Sequence, residues 1–484
     1  MLACMQHDPG YVTGEFVDEN AGLYAGWTCH GGSATDCMPI TNETRTLALL
    51  LAGETYVDQD VIDGLLKRGH RFNRDDLSYL IHLYEEKGEG FVRDLNGTFS
   101  GLLLDSDRGE VLLFNDRYGI GRLYCCGGKD EHLFSTEAKG LLKIRRDLRT
   151  LDEEALAQLF ICDCPLGERT LFRGIEVLPP GSIRSFRKSI PAATKRYFDA
   201  SEWEDQPALE NGAFLNELQE TFHRILPRYF RARQPIALSL TSGLDSRAIL
   251  AHADASPHGM PCFTLAGLRR ESYDVDIARA IAGYCGQPYR VVKLDKGFLS
   301  EFPKHAEQTI YISDGSHDVC GTHDIVFNRA ARQIAPIRMT GKFGSEIVGR
   351  QSMMRKPRVL ERDLFHPDFQ PAAARAAESF REAKRAHELT FAAFREIPWH
   401  EYGRIAIESS MLTLRTPYLD NDLVKLMYRS PGQTRSSLDT RLALTEAGKG
   451  TLRSIRTDRG TAGRNVPVVS AGIRFLLYTL FKLE

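Results

Sequence analysis

The sequence predicts an α/β protein in two parts: an α+β first half, then a second half built on a parallel sheet with helices on both faces. Three observations predict this. From Pro235 onward, short apolar runs alternate with helical patterns, the arrangement that builds a parallel sheet. The first 150 or so residues instead carry short β-type runs divided by turn signals. A polar, acidic stretch from Asp199 to Gly212, containing Pro207, separates the two patterns.

Taken in order, Asp76 to Glu86 places Leu77, Leu80, Ile81 and Tyr84 at helical spacing. Ser100 to Leu104 and Val111 to Phe114 read as strands, and the polar cluster Asp105-Ser-Asp-Arg-Gly-Glu110 between them reads as a hairpin turn. Leu178-Pro-Pro-Gly181 is a turn. Residues 1–198 are then expected to form one domain, 199–212 a linker and 213–484 a second domain. Phe214 to Leu226 is patterned as an amphipathic helix. Strands are expected at Pro235 to Leu240, Pro261 to Leu265 and Tyr289 to Leu294. Helices are expected from about Arg247 and at Val275 to Tyr284. Asp274 and Asp276 open the second of these helices and read as caps. Beyond about residue 355, Ala-, Glu- and Arg-rich segments are mostly helical.

Composition excludes several classes. With 484 residues, 42% hydrophobic and 26% charged, the chain is neither disordered, collagen-like nor a coiled coil. A formal net charge of -2 lacks the basic excess of a nucleic-acid binder. No apolar run reaches the ~18 residues that span a bilayer, Gly472 to Phe481 being too short. The N-terminus shows no basic region followed by an apolar one, so a cytoplasmic chain without a membrane partner is expected. The ten cysteines form no C-x-x-C pair and read as reduced, mostly buried thiols. His7, His30, His317 and His323 lack metal-ligand spacing, and Asn42-x-Thr44 and Asn96-x-Thr98 have no role as glycosylation patterns in such a chain.

The stretch richest in chemistry is Thr241-Ser-Gly-Leu-Asp-Ser-Arg247, set between a buried strand and a helix. A small-residue loop at a helix N-terminus offers backbone N–H groups to an anion, aided by the helix dipole. Gly243 permits close approach, the hydroxyls of Ser242 and Ser246 can donate to phosphate, and Asp245 can hold a divalent cation against phosphate oxygens. The alternative is an ordinary capped βα loop. Neither G-x-x-x-x-G-K-[ST] nor G-x-G-x-x-G occurs.

The loop resembles the S-G-G-x-D-S pyrophosphatase-type loop of the asparagine synthetase-like proteins. Other stretches are similar to motifs of that family and fall in its order: Gly53-Glu-Thr-Tyr56, Asn115-Asp-Arg-Tyr-Gly119, Phe134-Ser-Thr-Glu-Ala-Lys139, Thr170-Leu-Phe with Leu178-Pro-Pro-Gly181, Met339-Thr-Gly-Lys-Phe-Gly-Ser-Glu346, and Leu414-Arg-Thr-Pro-Tyr-Leu-Asp420. The resemblance implies an N-terminal-nucleophile-hydrolase-like αββα sandwich followed by an adenine-nucleotide-hydrolase-like sheet. It implies ATP and Mg²⁺ as cofactors. Thr241, Ser242, Gly243, Asp245, Ser246, Thr340 and Gly341 would surround the nucleotide. Asp245 and the position of Ser345 would hold the metal. Lys342, Glu346, Asp458 and Arg459 would face the reacting centre.

The chain also departs from the family pattern. The family's glutaminase uses a cysteine at residue one, whose free α-amine serves as base. Met1-Leu-Ala-Cys4-Met-Gln-His7 resembles a segment that lies after that strand, so the nucleophile strand is expected to be missing. The oxyanion-hole Asn position is Ala52, where losing one donor costs about 10²–10³ in rate. Asp76 lies near the position that holds the glutamine amine in relatives, or is simply solvated. An inactive glutaminase-like domain is expected. In the synthetase motifs a family acid is Lys342, a metal-binding Asp is Ser345 and a Lys is Asp458, which suggests a compensated charge swap with Lys342 or Arg459 as the cation. The resemblance thus implies a ligase that converts a small-molecule or peptide carboxylate to an acyl-adenylate for ammonia or an amine, as a possible homodimer. The alternatives are a glutamine-hydrolysing asparagine synthetase with a truncated N-terminus and a non-catalytic nucleotide-binding relative.

Overall fold

The computed structural model describes residues 1–127, 131–188, 190–253, 256–267, 272–354, 357, 365–432, 438–457, 472, 476 and 479. Contacts divide the chain into two compact units. The first comprises Met1–Asp205, Thr309–Asp318 and Ser352–Ser410; the second comprises Gln206–Gln308, Val319–Gln351 and Met411–Glu484. The chain passes between the units at five points; the first falls inside the polar stretch 199–212, and segments 309–318 and 352–410 belong to the first unit rather than to the second domain expected from residue 213 onward. The stretch 199–212 is itself structured: Ser201–Glu204 is a helical turn that buries Trp203, and the next helix, Asn211–Phe230, begins earlier than its apolar pattern does.

Unit 1 is built on antiparallel sheets. β1 (Tyr11–Asp18) pairs with β2 (Leu23–His30). Six strands form the main sheet: β3 (Ile40–Thr41), β4 (Leu47–Tyr56), β5 (Asn96–Asp105), β6 (Glu110–Asn115), β10 (Ser182–Arg187) and β11 (Ile190–Arg196), in the order β11-β10-β6-β5-β4-β3. A third sheet joins β7 (Tyr124–Gly127), β8 (His132–Ser135) and β9 (Glu176–Val177) in the order β8-β7-β9. The expected hairpin forms between β5 and β6, with Leu104 opposite Val111 and Gly109 at φ +60° in its turn. Leu102, Leu103 and Leu104 are all buried, so β5 is covered on both faces and does not alternate.

The Ala-rich segment beyond residue 355 does not pack where its place in the chain suggests. Helix Gln370–Ala383 buries Ala372, Ala373, Ala376 and Phe380 against Ala157 and Ile161 of helix Glu153–Cys162, and both helices belong to unit 1. Small side chains on one stripe of each helix let the two backbones approach closely, a contact that no local pattern announces.

Unit 2 holds a parallel sheet of β12 (Ile236–Ser239), β13 (Cys262–Ala266), β14 (Tyr289–Lys293), β15 (Ile337–Thr340) and β16 (Thr413–Arg415), in the order β14-β13-β12-β15-β16. From β12 the chain adds strands to one side, then returns through β15 to the other. The strand order therefore reverses between β12 and β15. In open parallel sheets such a reversal leaves a crevice at the carboxyl ends of the strands, where ligands bind. Ser239 pairs with Thr340, so the loops leaving both strands start at the same level of the sheet.

Candidate functional site

The loop after β12 is shaped from within. The Thr241 N–H donates to Ser246 Oγ at 3.0 Å, and the two hydroxyls lie 3.1 Å apart. The Gly243 N–H donates to Thr241 Oγ1 at 3.2 Å. Ser242 and Ser246 are buried, and Ser246 spends its hydroxyl inside the loop rather than offering it to a phosphate. Outward, the loop presents Thr241, the backbone at Gly243 and the N-terminus of helix Leu244–His252, the anion-binding end of the helix dipole.

Asp245 lies at the centre. Its Oδ2 accepts from the Ser345 hydroxyl at 3.1 Å and sits 3.8 Å from the Arg441 guanidinium, which also donates to Ser345 Oγ at 3.2 Å. Its Oδ1 is buried with no hydrogen-bond partner among the described residues. Burial pushes the Asp245 carboxyl above the ordinary acid range, against the opposing pull of Arg441 and Ser345. A buried carboxylate oxygen left without a donor is costly unless a cation completes it. This orphan fits a divalent ion brought in by phosphates, although Ser345 supplies only a hydroxyl and Arg441 already places one positive charge beside it.

The loop after β15 closes on the same carboxylate. A Cβ on Gly344 would lie 2.5 Å from Asp245 Cγ, and one on Gly341 would lie 2.5 Å from the Ser246 nitrogen, so only glycine permits the approach. Between them Phe343 adopts φ +71°, a conformation that L-residues rarely hold, and is buried. Lys342 sets its Nζ 5.8 Å from the centre of the Phe343 ring. Glu346 is buried in the short helix Gly344–Ile347. The two loops therefore bring together Thr241, Ser242, Gly243, Asp245, Ser246, Thr340, Gly341, Lys342, Ser345 and Glu346. Asp458 and Arg459 lie outside the described residues, as does most of the C-terminal tail.

Several residues that shape the site carry no functional reading in the sequence. Arg247 is fully buried, and its guanidinium donates to the carbonyls of Ser242 (2.6 Å), Leu452 (3.0 Å), Ile455 (2.5 Å) and Arg456 (3.2 Å). It ties the chain just before Asp458 to the loop. The N-cap position of helix Tyr273–Tyr284 is Ser272, so neither expected aspartate occupies it: Asp274 Oδ1 accepts the Ser242 N–H at 2.6 Å, and Asp276 pairs with Arg279 at 2.9 Å. In the 414–420 stretch the Tyr418 hydroxyl donates to the Asp245 carbonyl at 2.8 Å and the Thr416 hydroxyl to the Lys342 carbonyl at 2.7 Å. Asp420 anchors the stretch through Arg228, with oxygens at 3.1 and 3.3 Å. That motif is thus a brace for both loops. Arg441 carries no local signal, since it reaches Asp245 only through the packing of helix Leu438–Gly448.

In unit 1, Ala52 lies on β4 and lines an apolar cavity of about 180 Å³ together with Met1, Leu2, Met5, Trp27 and Cys29. Cys4 is not among its lining residues; its thiol donates to the Met1 carbonyl at 2.8 Å, and burial pushes it above its ordinary value. Asp76 accepts the Ser78 N–H at 2.9 Å and the Asn73 amide at 2.8 Å, the work of a turn cap. All ten cysteines are free thiols. Among the described residues no helix is long and apolar enough to cross a membrane.

Comparison with known proteins places these observations in a lineage. Residues 217–460, half of the chain, match the family model described as asparagine synthase, and residues 27–198 match that of a glutamine amidotransferase domain. The chain is similar to asparagine synthetase [glutamine-hydrolyzing] 1 of Bacillus subtilis (strain 168), with 23% identity over 325 residues, covering 67% of this chain and 50% of the relative. It is 37% identical over 263 residues to an asparagine synthetase [glutamine-hydrolyzing] of Sandersonia aurantiaca, covering 52% and 44%. It is 25% identical over 284 residues to amidase chyE of Penicillium rubens (strain ATCC 28089 / DSM 1075 / NRRL 1951 / Wisconsin 54-1255), covering 54% and 41%. The chain spans about half, or less, of the length of these curated relatives.

Proposed function

Because this chain belongs to the asparagine synthetase-like family, we propose that it is an ATP-dependent carbon–nitrogen ligase. A carboxylate substrate attacks the α-phosphate of ATP, releasing pyrophosphate and leaving an acyl-adenylate. Ammonia or an amine then attacks the acyl carbon and AMP departs. Activation is needed because a carboxylate carries its own negative charge and lacks a good leaving group.

The observation that carries this reading is the meeting of two loops on the orphan oxygen of Asp245 where the strand order reverses. The backbone from Gly243 into helix Leu244–His252 binds phosphate oxygens, and Thr340 and Gly341 border the nucleotide. Asp245, with the Ser345 hydroxyl, would hold Mg²⁺, which would offset phosphate charge. The Arg441 guanidinium adds a fixed positive charge at the same place, and pre-placed charge acts without reorganisation during reaction. By the family resemblance, Lys342 and Glu346 would act on the reacting groups, together with Asp458 and Arg459. For unit 1 the proposal is a glutaminase-like domain that does not hydrolyse glutamine. It is supported by Ala52, which brings no side-chain donor to the oxyanion position.

A second reading, a relative that binds nucleotide without turnover, is favoured by Arg441, which supplies Asp245 with a counter-charge from the protein itself. AMP and pyrophosphate release from Mg-ATP, measured across a panel of carboxylates with ammonia, amines or glutamine, separates the two. AMP formation that needs a carboxylate and proceeds with ammonia or an amine, without gain from glutamine, is expected. ATP binding with no AMP from any pair, in folded protein, overturns the ligase and leaves the second reading.

A further inference from the structure

We propose that His70, His82 and Glu85 form a binding site for a divalent transition metal of the zinc class. His82 and Glu85 are three residues apart on helix Tyr79–Lys87 and therefore share a face. His70 joins them from the turn that follows helix Gln59–Lys67. The ligand atoms of all three lie within 4.8 Å of one another. Both imidazoles present Nδ1 to the same carboxylate oxygen: His82 Nδ1 is 2.8 Å and His70 Nδ1 is 3.5 Å from Glu85 Oε2. The two rings are 4.8 Å apart, centre to centre. Two imidazoles and a carboxylate make the nitrogen–oxygen set that zinc accepts, with water free to complete the sphere.

What distinguishes this cluster from scattered surface ion pairs is its outer layer. His70 Nε2 lies 3.0 Å from Glu86 Oε1, and Glu86 is itself held by Arg68 Nε at 2.5 Å. With its Nε2–H donating to Glu86, His70 keeps the Nδ1 lone pair that a metal needs. On the other side Asn42 Nδ2 donates to Glu85 Oε1 at 3.0 Å, while Asn42 Oδ1 accepts the Leu47 N–H at 3.0 Å. The carboxylate is thus pinned to the start of β4, and its second oxygen stays turned to the imidazoles. Carboxylates behind metal-binding histidines, and donors behind metal-binding carboxylates, are what orient ligands in metal sites. The His70 and Glu85 side chains retain 21% and 27% of their exposure, which leaves a path for the ion, while His82 at 4% is fixed in the wall. A metal here would clip the turn at His70 to the helix.

The test uses the full chain, stripped with a chelator and titrated with Zn²⁺ against a chromophoric competitor, beside Glu85→Gln, His70→Asn and Glu86→Gln variants checked for fold by circular dichroism. The first two variants should each take up one equivalent less than the unaltered protein. Glu86→Gln should keep that equivalent with roughly 10–100-fold weaker affinity. Zn²⁺ should raise the melting temperature of the unaltered chain, that of Glu86→Gln by less, and those of Glu85→Gln and His70→Asn least, because a ligand bound solely by the folded state stabilises it in proportion to its occupancy. The difference between chains isolates this site from any cysteine that binds zinc elsewhere. Equal uptake by the unaltered chain, Glu85→Gln and His70→Asn would overturn the proposal and leave an ion-pair network.

Discussion

Replacing Asp245 by Asn should stabilise the ligand-free protein while abolishing its response to Mg-ATP. The carboxylate is 16% exposed, and one of its oxygens has no donor. An unsatisfied buried polar group costs about 1–3 kcal/mol. Against that stands the Arg441 contact at 3.8 Å, worth ~1 kcal/mol or less where solvent still reaches the pair. The amide still leaves its NH2 without a partner at the place of Oδ1, but it carries no charge to desolvate, and its oxygen can still accept from Ser345, so the charged part of the penalty is what the substitution removes. A net gain of about 1 kcal/mol follows, or roughly 2–4 °C in melting temperature for a unit of this size. The gain should depend on pH in a definite sense. Burial raises the folded-state pKa of Asp245, so the folded chain holds that proton more tightly than the unfolded chain. The penalty is absent below the unfolded value and complete above the folded one. The variant's advantage should therefore vanish in acid and be full at neutral pH. Scanning calorimetry at both pH values, with and without Mg-ATP, measures it. At a hundredfold excess over Kd, Mg-ATP should add about 2.7 kcal/mol to the unaltered protein and little to the variant. A loss of stability on Asp245→Asn at neutral pH would refute the reasoning, because the carboxylate would then be a satisfied structural anchor.

Gly344→Ala places a Cβ 2.5 Å from Asp245 Cγ, so AMP formation should fall at least tenfold at a stability cost of ~1–3 kcal/mol, read by initial rates and thermal unfolding. Tyr418→Phe removes only the 2.8 Å bond to the Asp245 carbonyl; about 0.5–1.5 kcal/mol should be lost in urea unfolding, with a lower kcat and a nearly unchanged KM for ATP. Arg247→Met leaves four carbonyls without their buried donor, so about 3 kcal/mol or more should be lost and the segment around Ile455 should become sensitive to limited proteolysis.

The sequence by itself determined what depends on near neighbours. Alternating strands and helices from Pro235 gave the parallel sheet of unit 2, and the polar cluster at 105–110 gave the β5–β6 hairpin, because both patterns are written within a few residues of each other. The two loops of the site were legible as motifs for the same reason. Their meeting was implied only by the family resemblance and is written in no local pattern. Whether Ser345 or Arg441 stands beside Asp245 depends on residues about a hundred and two hundred positions away, brought in by β15 and by helix Leu438–Gly448. The roles of Arg247 and Tyr418 likewise lie in backbone carbonyls, which every residue owns and no side-chain pattern marks. The stripe of alanines on Gln370–Ala383 says only that one face is small, and tertiary packing alone chose its partner, helix Glu153–Cys162 of unit 1. His70, His82 and Glu85 were silent for a related reason: a turn and a helix face converge on one carboxylate oxygen only once the intervening chain has folded back.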